Sequence, residues 1–141
     1  MAAGNYSEPI SAVDVIHGYV STLPGDTRRL AHTEWGITTH AGDWPLDIGL
    51  RVEDGLLRAQ ALAVDAAHAL EPRQFLHWNR HTRLVRFACT TSGDVWVHGD
   101  LPVAGLDEQA VDRLLGLMAE AAALARAAAT GAEPEAQAPA G

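Results

Sequence analysis

The order of hydrophobic periodicities along the chain constrains its fold more than any other feature. A stretch at helical spacing comes first. It is followed by three alternating stretches, a short helical stretch, two more alternating stretches and a long helical stretch. Periods of 3.6 and 2 distinguish amphipathic helices from half-buried strands. The pattern therefore predicts an α+β domain of order α-β-β-β-α-β-β-α, with one antiparallel five-stranded sheet flanked by helices.

The first helix is predicted over residues 11–23, with Ser11 as the N-cap for the Asp14 backbone N–H. Ile10 and Val15 occupy the two positions of a hydrophobic staple. Four apolar residues recur at helical spacing along this stretch: Val13, Ile16, Val20 and Leu23. A turn at residues 24–26 ends the helix, because proline, glycine and aspartate favour turns.

A first strand is predicted over residues 30–40, and a hairpin follows it. The hairpin strands flank Asp54 and Gly55, a dipeptide typical of a type I′ turn. A two-residue turn pairs only apolar residues on one face: Val52 with Leu57, Leu50 with Ala59, Ile48 with Ala61, and Leu46 with Ala63. Large residues oppose small ones, which leaves room for a helix above the alanines.

A second helix is predicted over residues 72–81, because Pro72 suits its first turn. Two strands, 84–91 and 94–98, then flank the turn dipeptide Ser92-Gly93. A two-residue turn places Val85, Phe87, Cys89 and Trp96 on one face and Leu84, Ala88, Val95 and Val97 on the other. Both faces are partly apolar, so a subunit interface is expected to cover part of the sheet.

The last helix is predicted to start after Asp107 as N-cap, with Leu106 and Val111 as its staple. Its apolar stripe is Val111, Leu114, Leu115, Met118, Ala122 and Ala125. From residue 130 the chain contains only small and polar residues. We therefore predict a single domain over residues 1–129 and a disordered tail over 130–141.

Composition limits the classes of function. The chain has 141 residues and a formal net charge of -8, which argues against general binding of nucleic acid or anionic membranes. One cysteine permits no internal disulfide, and no charged-then-apolar leader precedes the first helix. No apolar run reaches the roughly 20 residues that span a bilayer. We expect a cytoplasmic protein.

Candidate catalytic and metal-binding residues are few. His77 and His81 have helical spacing for two zinc ligands, but the further candidates lack ligand spacing: His32, His40, His98 and Asp100. An exposed polar helix face is the favoured interpretation. Cys89 is expected to be a buried, inert thiol, because free cysteine usually behaves as a small hydrophobic residue. We predict no cofactor, no metal and no enzymatic activity.

One segment has an unusual charge. Residues 72–93 contain no acidic residue, and they contain four arginines: Arg73, Arg80, Arg83 and Arg86. With the aromatic residues Trp78 and Phe87 in the same segment, these arginines suit an acidic protein segment, or a single nucleic-acid strand whose phosphates they neutralise and whose bases stack on the aromatic rings. The alternative is a solvated face whose arginines pair with acids from elsewhere. A protein partner is favoured over nucleic acid.

Four tryptophans are candidate packing or contact residues. Trp96 is expected to lie inside, whereas Trp44, just before Pro45, and Trp78, beside the arginines, suit a rim or an interface. Core packing is the alternative for each of the four, Trp35 included. The candidate partner-binding residues are thus Trp44, Arg73, Trp78, Arg80, Arg83 and Arg86.

The stretch from residue 35 to 129 resembles the YbjN-like family, whose fold is related to the type III secretion chaperones. The resemblance rests on the 46–52 hairpin strand, Phe75-Leu76-His77-Trp78-Asn79, Arg86-Phe87-Ala88, Val95-Trp96-Val97 after a glycine turn, and Leu101-Pro102. It implies a secretion-chaperone-like fold and a homodimer that binds other proteins without enzymatic activity. No partner-binding residue transfers. We therefore expect an adaptor or chaperone-like module, with a nucleic-acid accessory protein as the alternative.

Overall fold

The computed structural model describes residues 11–68 and 70–130 of the chain. In chain order the elements of this part are α1 (Ala12–Val20), β1 (Asp26–Ala31), β2 (Glu34–Ala41), β3 (Trp44–Glu53), β4 (Leu56–Val64), a 3₁₀ helix (Ala66–His68), α2 (Pro72–Trp78), β5 (Val85–Cys89), β6 (Val95–Pro102) and α3 (Glu108–Thr130). The α+β class is confirmed.

The strands form one antiparallel sheet in the order β1-β2-β3-β4-β6-β5. The sheet has six strands in the described residues, so the prediction of five is wrong. The predicted strand over 30–40 is instead the end of β1, a turn and most of β2. Strand β1 lies at an edge and is exposed along nearly its whole length. It therefore lacks the apolar alternation that would reveal a strand in sequence.

The β3–β4 hairpin has the predicted turn and register. Asp54 and Gly55 both have positive φ, 53° and 76°, as a type I′ turn requires. The predicted pairs Val52–Leu57, Leu50–Ala59 and Ile48–Ala61 are present. The ladder begins at the Ile48–Ala61 pair, so Leu46 and Ala63 lie beyond it. As expected, α3 packs chiefly on the alanine side of β4.

The β5–β6 register differs from the prediction by one residue. Cys89 pairs with Val95 and Phe87 with Val97, because the connection has three residues, Thr91, Ser92 and Gly93, rather than two. A shift of one residue exchanges the two faces of a strand. Trp96 therefore lies opposite Ala88 on the other face of the sheet, and the prediction that it faces inward is wrong.

The three helices cover one face of the sheet. Helix α3 lies across β2, β4, β5 and β6, α1 contacts α3, and α2 contacts β5. Buried residues of every strand except β1 meet those of the helices in one core. On the opposite face, β3 and β4 present mainly charged and polar side chains. We call this the open face. This face also carries apolar residues, among them Leu62, Trp96 and Ala88, which lie side by side on β4, β6 and β5, in agreement with the prediction that both faces are partly apolar.

Specific polar contacts fix the helices. Ser11 accepts the Asp14 N–H at 3.1 Å, and Asp107 accepts the Ala110 N–H at 2.9 Å, so both predicted N-caps are confirmed. The Tyr19 hydroxyl donates to Asp112 and joins α1 to α3. Burial, followed by this bond and the Asp112 charge, raises the pKa of Tyr19 far above its usual range.

The predicted boundaries hold only in part. Helix α1 ends at Val20, three residues before the predicted end, and the staple residue Ile10 lies outside the described residues. Helix α2 ends at Trp78, and single turns continue to His81. Thr130, the first residue of the predicted tail, is the last residue of α3; the rest of the tail lies outside the described residues. No described helix is long and apolar enough to cross a membrane.

Candidate partner-binding surface

Helix α2 is anchored to the edge strand β5 by aromatic packing. Phe75 is buried, with its ring centroid 6.4 Å from that of Phe87, and the Trp78 ring lies 5.3 Å from the same phenylalanine. Pro72 begins the helix, where its missing N–H costs nothing. One side of this short helix is therefore held against the core, and its other side faces solvent.

Asn79, just after α2, closes the free edge of β5. Its side-chain oxygen accepts the Phe87 backbone N–H at 2.8 Å, and its side-chain nitrogen donates to the Phe87 carbonyl at 3.1 Å. A neighbouring strand would make the same two bonds. The N–H of Val85 is also satisfied, because it donates to the Arg83 carbonyl at 2.7 Å. Strand β5 is thus closed at two of its outward-facing residues.

Three of the predicted arginines are exposed and unpaired. Within residues 11–68 and 70–130, the side chains of Arg73, Arg80 and Arg83 form no ion pair. Two apolar side chains lie on the same helix and its following loop: Leu76 is 59% exposed and Leu84 is 40% exposed. We call Arg73, Leu76, Arg80, Arg83 and Leu84 the basic–apolar surface.

The backbone of Leu84 is strained. Its φ is 63°, in the left-handed region, which costs a non-glycine residue about 1–2 kcal/mol. The residue connects the loop after α2 to β5, and its side chain is 40% exposed. A bulky, partly exposed leucine is thus held in a conformation that glycine would adopt without strain.

Two other predicted residues have different surroundings. Arg86 forms an ion pair with Asp100 at 3.0 Å on the open face. Trp78 is half-buried by its packing on Phe87. The structure therefore separates Arg86 from the other three arginines and makes Trp78 chiefly a packing residue of α2.

Trp44 lies apart from the other candidates. It begins β3, and two strands, β4 and β6, lie between β3 and β5. Its side chain is 55% exposed, as expected for a rim residue, and it lines a depression of about 180 Å³ with Leu62 and Arg126. Arg126 donates to the carbonyls of Ala63, Ala41 and Trp44 at 2.9, 3.2 and 3.2 Å. Burial lowers the pKa of its guanidinium, which remains protonated.

The open face carries a chain of ion pairs across five strands. Arg51 contacts Glu34 at 3.2 Å and Glu53 at 3.3 Å; Arg58 contacts Glu53 at 3.6 Å and Asp100 at 3.3 Å. These pairs line a depression of about 390 Å³ together with His98, and the Arg86–Asp100 pair extends the chain of charges to β5. Opposite charges alternate here, so the depression does not favour an anion or a cation.

The metal and nucleophile candidates gain no support. His77 and His81 do share a side of α2 and its following turn, with ring centroids 5.6 Å apart. The described residues hold no group of three or more histidine, cysteine, aspartate or glutamate side chains placed for a metal. Cys89 is exposed, so the prediction of a buried thiol is wrong. It lies at the end of the edge strand, beside the turn.

Sequence reasoning missed the roles of Asn79 and Arg126. An asparagine after a short helix is ordinarily read as a cap, and its bonds to a strand eight residues later leave no periodic signal. Arg126 offered a weak signal, since it interrupts an alanine-rich helix with a charge. The carbonyls that it binds lie more than 60 positions away in sequence.

Comparison with known proteins gives a family. The family profile described as "YbjN: Putative bacterial sensory transduction regulator" matches residues 27–129. Among solved structures, a chain in the crystal structure of the ExsC–ExsE complex is 18% identical, with a TM-score of 0.49, over 62% of this chain and 70% of that chain. No curated protein sequence matches. Because the profile spans most of the chain, from β1 through α3, this protein belongs to the YbjN family.

Proposed function

We propose that this protein is a non-enzymatic, cytoplasmic adaptor or chaperone-like module that acts as a homodimer in a regulatory or stress pathway. The observation that carries the proposal is the basic–apolar surface. Its three arginines have no carboxylate partner within the described chain, although the whole protein carries a net charge of -8. The description of the family as a regulator supports a regulatory rather than a catalytic role.

The surface suits an acidic segment that also carries apolar residues. Covering Leu76 and Leu84 supplies affinity, since a fully buried leucine contributes about 1.5–3 kcal/mol. Exposed ion pairs contribute only about 0.2–1 kcal/mol each. The arginines therefore act mainly on orientation, partner choice and the rate of association.

The closed edge of β5 limits how such a partner binds. Because Asn79 and Arg83 already satisfy Phe87 and Val85, an added strand would have to displace their bonds. Side-chain contact with α2 and its following loop is the favoured mode, as when a helix or short segment docks in a groove. Strand addition at β5 is disfavoured.

The test is affinity capture of the tagged protein from its native cells, with and without nuclease, followed by mass spectrometry. The variant carries Arg73→Ala, Arg80→Ala and Arg83→Ala together. Arg113→Ala, which removes an exposed arginine of α3, is the control. A partner retained by wild type and control, but lost by the triple variant, supports the proposal. A partner captured equally by wild type, control and triple variant would show that it binds a different surface. Light scattering that gives a monomer at micromolar concentration would contradict the proposed dimer.

A nucleic-acid accessory protein is the second candidate. The exposed Arg73, Arg80 and Arg83 favour it, whereas the pairing of Arg86 and the packing of Trp78 weaken it, because stacking on a base needs a free aromatic face. It predicts salt-sensitive binding of single strands that the triple variant reduces. Loss of captured partners after nuclease treatment would favour this candidate over the adaptor.

A further inference from the structure

The hydrogen-bonded ladder between β3 and β4 stops before the two strands end. Its last pair is Ile48–Ala61, and the register of β4 against β6 shifts between Leu62 and Val64. Ala63 is therefore a bulge residue that has no ladder partner among the described strands. Its carbonyl is left for another donor. Bulges are over-represented next to functional sites, where they end strand pairing and redirect nearby groups.

Arg126 of α3 bridges the two strands beyond the end of their ladder. Its Nε donates to the Ala63 carbonyl at 2.9 Å, and its Nη1 donates to the carbonyls of Ala41 and Trp44, both at 3.2 Å. A guanidinium has five N–H donors in one rigid plane. These three bonds therefore fix its orientation. The two donors on Nη2 have no acceptor in the part of the chain that the structure describes.

The charge of Arg126 also lacks a carboxylate partner in the described part of the chain, because its acceptors are neutral carbonyls. Asp65 lines the same depression, but its Oδ1 lies 3.0 Å from Nδ1 of His68. The charge of Asp47 acts on Arg126, yet this carboxylate accepts the Thr38 hydroxyl at 2.7 Å and forms no ion pair. A partly buried cation is ordinarily paired with an anion, so the site favours an anionic ligand.

The walls of the depression are largely apolar. Trp44 and Leu62, which are 55% and 37% exposed, line it beside Arg126. Small-molecule sites typically combine such apolar walls with a few fixed polar groups. The volume of about 180 Å³ is that of about six water molecules at about 30 Å³ each. This size suits one ring with a short arm rather than a folded protein segment.

We propose that this depression binds a small organic acid that has an apolar body. The ligand carboxylate accepts from Nη2 of Arg126, and the apolar body packs on Trp44 and Leu62. A neutral ligand leaves the guanidinium charge without a partner, and a cation is repelled by it. Strand β6 lies between β4 and β5, so this site is separate from the basic–apolar surface and goes beyond the proposed adaptor function.

The probe is hydrocinnamate, in which two carbons join a benzene ring to a carboxylate. The control probe is hydrocinnamide, which has the same shape and no charge. Each is titrated into the full-length protein, labelled with nitrogen-15, and followed by nuclear magnetic resonance. The indole N–H of Trp44, identified by its loss in Trp44→Phe, and the Nε–H of Arg126 report binding at the site.

Three variants leave Arg126 and its bonds to the strands intact. Leu62→Gln removes apolar contact from the depression. Leu62→Glu does the same with a side chain of equal length and adds a carboxylate. Leu30→Gln is the matched control, because Leu30 is an exposed leucine of β1 that lies outside this depression.

Hydrocinnamate should shift both resonances with a Kd of about 1 mM or below, as expected for a ligand of about ten heavy atoms. Hydrocinnamide should bind about tenfold more weakly, because a neutral hydrogen bond replaces a charge-assisted one. Leu62→Glu should bind the acid about fivefold more weakly than Leu62→Gln, since the added carboxylate repels the acid or takes its place on Arg126. The amide should bind these two variants equally, and Leu30→Gln should behave as wild type.

Equal binding of acid and amide, or equal affinity of the two Leu62 variants for the acid, would overturn the inference. So would the absence of any shift at about 10 mM probe, which would leave Arg126 as a structural bridge only. A shift of the Arg126 Nε–H caused by Glu133→Gln with Glu135→Gln, without probe, would also overturn it, because carboxylates of the chain itself would then occupy the site. None of these outcomes bears on the capture experiment at α2.

Discussion

The side-chain amide of Asn79 bonds to both the N–H and the carbonyl of Phe87, at 2.8 and 3.1 Å. One residue thereby replaces a neighbouring strand at the edge of the sheet. The same two bonds fasten the end of α2 to β5, beside the ring contacts of Phe75 and Trp78. The Asn79 side chain thus contributes both to the stability of the fold and to the closure of the β5 edge.

Replacing Asn79 with alanine should lower the free energy of unfolding by about 1–3 kcal/mol, because two partly buried backbone groups lose their partners. Urea denaturation measures the loss. Asn79→Asp should lie between alanine and wild type, since the carboxylate still accepts the Phe87 N–H but cannot donate to its carbonyl. Gln74→Ala, on the exposed side of α2, is the control and should change stability little. A loss in Asn79→Ala below about 0.5 kcal/mol would show that water replaces both bonds.

The sequence predicts elements well where apolar residues follow one period. The β3–β4 register could be predicted because an alternating strand, a glycine turn and an alanine-rich strand all require the same pairing. Strand β1 could not, since an exposed edge carries no alternation. In the β5–β6 hairpin, the length of the turn, two residues or three, determines which side chains of each strand face the core. Both faces of the hairpin hold apolar residues. The pattern therefore gave no way to detect the error.

The candidate site could likewise be predicted only in part from the sequence. Arg73, Arg80 and Arg83 could be found because charge is visible in sequence, and their exposure agrees with that reading. Arg86 forms an ion pair with Asp100 on the neighbouring strand β6. Asp100 lies two residues beyond His98, the direct cross-strand partner of Arg86. Long-range hydrogen bonds such as those of Asn79 and Arg126 leave no local pattern.

Gly99 allows α3 to approach the sheet. A Cβ at this position would lie 2.6 Å from Leu114 Cδ1 and 3.2 Å from both the Leu84 carbonyl and Val85 Cγ1. Gly99→Ala should therefore lower the free energy of unfolding by about 1–3 kcal/mol through overpacking. Gly116→Ala, in α3 with open space around it, should raise it by about 0.5–1 kcal/mol. Thermal denaturation of the two variants tests this difference in sign, and equal effects would contradict it.

At position 84, a glycine variant should be more stable than an alanine variant, which is the reverse of their usual order of stability. Within an element, glycine is ordinarily less stable than alanine by about 0.5–1 kcal/mol. At a φ of 63°, alanine keeps the left-handed strain and glycine removes it. Leu84→Gly should therefore be more stable than Leu84→Ala in urea denaturation. Both variants remove the same apolar side chain, so both should weaken partner capture to the same extent. A capture defect in only one variant would show that backbone strain at this position, rather than contact of the side chain with the partner, determines binding.

His98 should make stability depend on pH through the open face. Burial comes first among the causes that lower its pKa, followed by the charge of Arg86 and, more weakly, that of Arg58, while Asp100 opposes them. Because the folded pKa is below the unfolded value of about 6.5, this contribution is fully present above pH 6.5. It is lost as pH falls toward the folded pKa, since the unfolded chain then binds the proton more strongly.

The difference in unfolding free energy between wild type and His98→Gln isolates this contribution from the other histidines. It should favour wild type less at pH 5 than at pH 7.5. Arg86→Gln should raise the pKa of His98 in a nuclear magnetic resonance titration, because it removes the nearer positive charge and frees Asp100 from its ion pair. A His98 that titrates at or above the ordinary histidine pKa in the wild-type protein would show that Asp100 outweighs both burial and the arginines.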